Sequence, residues 1–274
     1  MDRELLLIGL TALVGGGIAW LVAPLGRSEG SGPAWRREQR AWRQLLAPLV
    51  LIALGSALCL GWALQEPEDS DERLALLDWM VVVLVLALWA RALARLARSM
   101  VARPAMPIAV VGIAVPRIIV DPALERLLDA DALAAALAHE AAHVRHRDPL
   151  RIAIAQLATD LQWPWPQPRR RLASWRCVLE ETRDDEAVLD GSRPEDLAAA
   201  IIGAARWSAP GAGASLGEHP IERRVRRLLD GAPRVPAPRS RSLALLFASA
   251  VIASLVVGFT IGEDVLALLP GVWR

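Results

Sequence analysis

The sequence predicts a mostly α-helical integral membrane protein, with four transmembrane helices and an α+β cytoplasmic domain inserted between the third and the fourth. Three observations carry this reading. The chain of 274 residues is 54% hydrophobic with a mean hydropathy of +0.33, more apolar than an ordinary soluble domain. It contains four apolar runs of about the ~20 residues that a ~30 Å hydrocarbon core requires. Its arginines are distributed unequally among the loops between those runs, and that asymmetry sets orientation.

The first run, residues 5–25, lacks the small-residue cleavage site of a removable signal peptide. The second and third are expected at 45–64 and 74–90, so that 1–90 is a three-span membrane unit. The loop between the first two carries Arg27, Arg36, Arg37, Arg40 and Arg43 against Glu29 and Glu38. The next carries Glu66, Glu68, Asp69, Asp71 and Glu72 against Arg73. Basic loops stay inside, which makes the first loop cytoplasmic and the second external. Arg91, Arg95, Arg98 and Arg103 after the third run, with Arg239 and Arg241 before the fourth at 243–261, place 91–241 in the cytoplasm. The fourth helix and a short tail occupy 242–274, and both termini are external. A net charge of +1 excludes a strongly basic nucleic-acid binder. Cys59 and Cys177 have no C-x-x-C spacing and form no disulfide framework.

The cytoplasmic insert opens with two β-branched segments between Ile108 and Val120, parted by Gly112, which read as a hairpin. Asp129 or Asp131 then caps a helix that runs to Asp148-Pro149. Inside that helix lies His139-Glu140-Ala-Ala-His143. Two histidines one turn apart project from the same face and can hold a single Zn²⁺, while Glu140 stands beside the metal as a general base. A catalytic zinc needs a third protein ligand. The helical stretch 172–190 offers Glu180, Glu181, Asp184 and Asp185, in two pairs of i,i+4 spacing. Glu181 and Asp185 share a stripe with the apolar Val178 and Val188, so helical phase favours Glu181 as ligand and Asp185 as the partner of a histidine ring N–H. Glu180 with Asp184 is the alternative pair, and His146, three residues beyond His143, is a further candidate.

These residues resemble the membrane zinc metallopeptidases of the BlaR/MecR type, metallopeptidase family 56. The resemblance rests on Val110-Val-Gly112 with Pro116-Arg-Ile-Ile-Val120, on Leu137-Ala-His-Glu-Ala-Ala-His-Val-Arg-His-Arg-Asp148, on Trp163-Pro-Trp165 and on Glu181-Thr-Arg-Asp-Asp185. Where that family commonly has Cys or Ala before the final Asp, this chain has Asp184. The resemblance implies a zincin-like metalloprotease domain with Zn²⁺ on His139, His143 and Glu181. It also implies a bacterial inner-membrane location and a protein substrate, in the sensor members a transcriptional repressor. A related group, the HtpX and CAAX-processing proteases, shares the same pair of motifs with a later His-Pro and Arg, matched loosely by His219-Pro220 and Arg224. It implies membrane protein quality control as an alternative function, with Arg224 a partner of the site carboxylates. A third expectation is a non-enzymatic transducer with a structural metal. The Ile108–Val120 segments offer an edge on which an extended peptide adds as a further strand.

Overall fold

The computed structural model describes residues 32–63, 76–101, 107–208, 220–231 and 234–236. Two long helices come first, α1 (Ala34–Ala63) and α2 (Leu76–Val101). They occupy the second and third apolar runs, but neither is confined to its run. Helix α1 begins eleven residues before Leu45, in the arginine-bearing segment, and α2 continues beyond Ala90 through Arg91, Arg95 and Arg98. Among the described residues no helix is long and apolar enough to cross a membrane. The spans expected at 45–64 and 74–90 therefore draw no support from α1 and α2. The runs at 5–25 and 243–261 lie outside the described residues.

Next comes the expected hairpin, β1 (Ile108–Val111) and β2 (Arg117–Val120), paired antiparallel from Ile108 opposite Val120 to Val111 opposite Arg117. Gly112 closes β1 with φ +92°, and a Cβ there would stand 2.5 Å from the Val115 carbonyl oxygen, so only glycine fits. The short helix α3 (Pro122–Leu127) starts from Asp121, whose carboxylate accepts the Ala123 N–H. Helix α4 (Ala130–Arg145) is capped by Asp129, which accepts from the Ala132 N–H. Four more helices follow: α5 (Asp148–Leu161), α6 (Gln167–Leu189), α7 (Pro194–Ser208) and α8 (Pro220–Leu229).

Three apolar clusters join these elements around α4 and α6. Ile108, Leu124, Ala132, Ala136 and Ala200 pack the hairpin and α3 against α4 and α7. Ala135, Ala187, Leu197, Ala198 and Leu228 bring α4, α6, α7 and α8 together, with alanine at the contacts permitting close approach. The third cluster, Ala41, Leu45, Ala155, Leu172, Trp175 and Leu179, docks the N-terminal half of α1 on α5 and α6. Trp175 is fully buried there, its ring centroid 5.0 Å from that of Trp42, and its Nε1–H donates to Glu38 Oε1 at 2.7 Å. Burial of that large ring, with its one polar atom satisfied, anchors α1. Trp175→Ala is expected to lower unfolding free energy by about 3–5 kcal/mol, read as a lower denaturant midpoint.

Candidate metal centre

Helix α4 places His139 and His143 on one buried face, with Nε2 atoms 3.1 Å apart. Each ring is oriented from behind. Asp148 Oδ2 lies 2.8 Å from His143 Nδ1, and because a carboxylate only accepts, Nδ1 carries the hydrogen and Nε2 the lone pair. Asp184 Oδ1 lies 3.0 Å from His139 Nδ1, in ion-pair contact although off the axis of an N–H donor. Asp148 reaches His143 because the chain reverses sharply between the helices. His146 ends α4, Arg147 adopts φ +51°, and Asp148 begins α5 ahead of Pro149.

Glu180 of α6 completes the group. Its Oε2 is 3.3 Å from His139 Nε2 and its Oε1 is 3.7 Å from His143 Nε2. His139, His143 and Glu180 form, among the described residues, a set whose ligand atoms all lie within 4.8 Å of one another. Two imidazole lone pairs and a carboxylate converging on one point repel each other unless a cation lies between them. Two imidazole nitrogens and a carboxylate oxygen gathered this closely are the donor types that a tetrahedral zinc centre takes at ~2.0–2.1 Å. The donor set fits a zinc ion.

Arginines hold the acidic side of the centre. Arg224 of α8 grips Asp184 with Nε and Nη2, both at 2.8 Å, and reaches Glu180 Oε2 with Nη1 at 3.0 Å. Burial opposes ionisation of Glu180, yet Arg224 and the two histidines keep its carboxyl well below the usual range. Burial likewise opposes ionisation of Asp184, and Arg224 outweighs it, bringing that carboxyl down to about 2. His143 loses proton affinity to burial but gains more from Asp148 and Glu180, and is pushed up to about 10. A metal and a proton thus compete for the same lone pair. Glu140 shows the opposite balance from Glu180. Burial raises its pKa, and the nearby histidine charges offset this only in part.

His139, Glu140, His143, Glu180 and Arg224 open into one cavity of about 520 Å³. Its far wall is strand β1 with Gly112 and Ile113, and apolar side chains of α2, α5 and α7 line much of the remainder.

The structure places His139, Glu140, His143 and Arg224 around one cavity and does not bring the expected ligand Glu181 or its expected partner Asp185 to it. Glu181 does not face the histidines. Its carboxylate is turned away, between Arg37 Nη2 at 2.6 Å and Arg223 Nε at 2.8 Å. Asp185 pairs with Arg227 Nη2 at 2.6 Å, with Arg234 at 3.8 Å. The alternative pair, Glu180 and Asp184, occupies the ligand and ring-orienting positions. Helical phase misled because α6 is buried on several sides at once, and the half-exposed stripe of Glu180 opens on the cavity rather than on bulk solvent. Asp148 was missed as a site residue. The signal available was an aspartate five residues beyond the second histidine, at a helix break. His146 is exposed and pairs with Glu186 Oε2 at 2.9 Å, while His219 lies outside the described residues.

Two histidines and a carboxylate around one point, with a second carboxylate alongside and an open cavity in front, constitute a metallopeptidase-type centre. Residues 78–163 match the model of peptidase family M48, under a third of the chain, and this supports a metal-dependent peptidase. The matched stretch contains His139, Glu140, His143 and Asp148. Glu180, Asp184 and Arg224 follow it, and their place in the site rests on geometry alone. The BlaR/MecR resemblance is to a different peptidase family, and this match does not extend to it. No curated protein and no solved structure matches the chain.

The geometry separates neighbouring acids. Glu180→Ala is expected to abolish retention of zinc during dialysis against a mild chelator. Asp184→Asn is expected to weaken affinity 10- to 100-fold, as the loss of a ring-orienting partner implies. Glu181→Ala is expected to keep its metal and lose about 1–3 kcal/mol of stability, because Arg37 and Arg223 lose their shared partner. Metal content by atomic absorption, alongside denaturant titration, reads all three.

Proposed function

We propose that the protein is a zinc-dependent endopeptidase that hydrolyses peptide bonds of a cytoplasmic or membrane-proximal protein. The observation that carries this reading is the shared cavity: His139, His143, Glu180 and Glu140 face the same space that strand β1 borders. Zinc held by the three ligands would supply Lewis acidity toward a water molecule and the scissile carbonyl. Asp148 accepts from His143 Nδ1 and so leaves that ring's Nε2 lone pair forward, while Asp184 stands 3.0 Å behind His139 Nδ1. Glu140 takes the proton of the attacking water at its carboxylate and returns it to the leaving amine. Its burial-raised proton affinity suits both halves of that transfer. A structural metal would have no use for such a base, which argues against a purely non-enzymatic transducer.

Among the described residues strand β1 pairs with β2 alone, in a two-stranded sheet, and its other edge would take an extended peptide as a further strand. A substrate lying along that edge crosses the cavity in front of the centre. Met80, Val83, Leu84, Leu86, Trp89 and Leu93 of α2 are exposed. An apolar surface of this size on one helix supports association with a bilayer, with the catalytic region on the cytoplasmic side as the loop arginines imply. Cleavage of a transcriptional repressor in signal transduction is the role the BlaR/MecR resemblance suggests. The HtpX and CAAX-type resemblance suggests a second reading, a protease of membrane protein quality control with many substrates.

Two measurements test this. Glu140→Gln keeps the size of the side chain and all three metal ligands. Hydrolysis of an unfolded fluorescent protein substrate is expected to fall on the order of 10²-fold or more while zinc stays near one per chain. Unchanged cleavage would remove Glu140 as the base. For orientation, Asp69→Cys should be labelled by a membrane-impermeant thiol reagent in intact cells and Glu195→Cys should not; labelling of position 195 would reverse the topology.

A further inference from the structure

Glu38 lies on α1, outside the matched stretch and far in sequence from both metal-site helices, yet it is only 5% exposed. Its Oε1 accepts from Arg151 Nη2 on α5 as well as from Trp175 Nε1–H. Arg151 is clamped: its guanidinium stands 4.9 Å from the Trp42 ring centroid and 5.7 Å from that of Trp175. From the other end of the same guanidinium, Nη1 donates to Asp148 Oδ1 at 3.1 Å. Asp148 is fully buried, and its second oxygen accepts from His143 Nδ1 at 2.8 Å. A chain of alternating charge therefore runs from α1 to a ring in the metal centre, through groups with little access to water.

We propose that Glu38 is a positioning residue of the metal centre, acting through Arg151 and Asp148 on His143. This rests on the reading of His143 as a metal ligand and needs no particular substrate. The physical reason is the division of the Arg151 charge. With Glu38 in place, that guanidinium is shared between two carboxylates. Without it, a desolvated cation acts on Asp148 alone, draws the carboxylate away from His143 and lowers the basicity of Nε2. Arg183 already holds Asp148 from the opposite side, through Nε and through Nη2 at 3.0 Å. The carboxylate thus sits between two arginines, of which Arg151 hydrogen-bonds to Glu38 of α1 and Arg183 feels the Glu38 carboxylate only through space. Because α1 is continuous from Glu38 to Ala63, a shift of that helix would be felt at the metal ligand.

Simple docking of α1 makes a different forecast, and the same helix supplies the control. Arg37, one residue away, ties α1 to Glu181, a carboxylate that does not touch the histidines. The experiment uses the full chain loaded with Co²⁺, whose visible absorption bands report ligand geometry, with affinity read by chelator competition. Glu38→Gln and Arg151→Gln are each expected to weaken Co²⁺ binding on the order of 10-fold, the lower end for an outer-sphere partner, and to shift the bands. Because both break one chain, the double variant should be little worse than Arg151→Gln alone. Arg37→Gln should lower the denaturant midpoint while leaving Co²⁺ affinity and bands as in the parent. Equal metal defects in Glu38→Gln and Arg37→Gln would overturn the proposal, as would additive effects in the double variant. Should Glu38→Gln fail to fold, Arg151→Gln with parental affinity and spectrum overturns it equally. A parent chain that takes up no Co²⁺ overturns the metal reading itself, visible before any variant is compared.

Discussion

Five consecutive polar side chains of α6, Glu181, Thr182, Arg183, Asp184 and Asp185, are buried, and four of them carry charge. A buried charge is tolerated only where it is paired and hydrogen-bonded, because removal from water costs several kcal/mol per ion. Most of the tertiary arrangement answers that demand. Helix α1 brings Arg37 to Glu181, and α8 brings Arg223, Arg224 and Arg227 to Glu181, Asp184 and Asp185 in turn. Helix α5 brings Asp148 to Arg183. Thr182 satisfies itself, donating to the Val178 carbonyl at 2.8 Å. Each helix that surrounds α6 through these contacts arrives with a counter-charge.

The same network gives the centre its chemical character. Asp184 accepts from Arg224 on both oxygens, and its Oδ1 also faces His139 Nδ1, so the arginine that neutralises it also fixes where it stands behind the ring. Arg224 touches Glu180 too, which keeps that carboxylate ionised and pointed at the histidines. Arg183 and Arg151 perform the equivalent service for Asp148 behind His143. Glu140, which among the described residues has no arginine in ion-pair contact, keeps a proton affinity raised by burial. Four carboxylates within one small volume thereby differ in proton affinity, the three in contact with arginine being held ionised and Glu140 not.

Helix α8 shows how far tertiary context redirects a sequence pattern. Read alone, Arg223 to Asp230 is a basic amphipathic segment suited to an anionic lipid surface. In the fold, Arg223, Arg224 and Arg227 turn inward to the α6 carboxylates, and Arg226 pairs along its own helix with Glu222 at 2.6 Å. The tryptophans divide in a similar way. Trp175 belongs to the core beneath α1, while Trp163 is exposed, with the Arg91 guanidinium 5.4 Å from its ring centroid.

Local pattern was enough to indicate the hairpin with its glycine, a cap at Asp129 or Asp131, and the helix bearing His139, Glu140 and His143, although that helix ends at Arg145 and Asp148-Pro149 opens the next one. Each of these depends on residues a few positions apart, where spacing and backbone preference decide the outcome. Which of Glu180 and Glu181 faces the histidines, that Asp148 orients His143, and that Glu38 shares Arg151 with that aspartate were decided only by tertiary structure. A single helix carries no label saying which neighbour will cover which stripe, and α6 is enclosed by α1, α4 and α8 together. When partners approach from several sides, apolar periodicity loses its meaning, and the phase of the ligand is set by arginines contributed from distant parts of the chain.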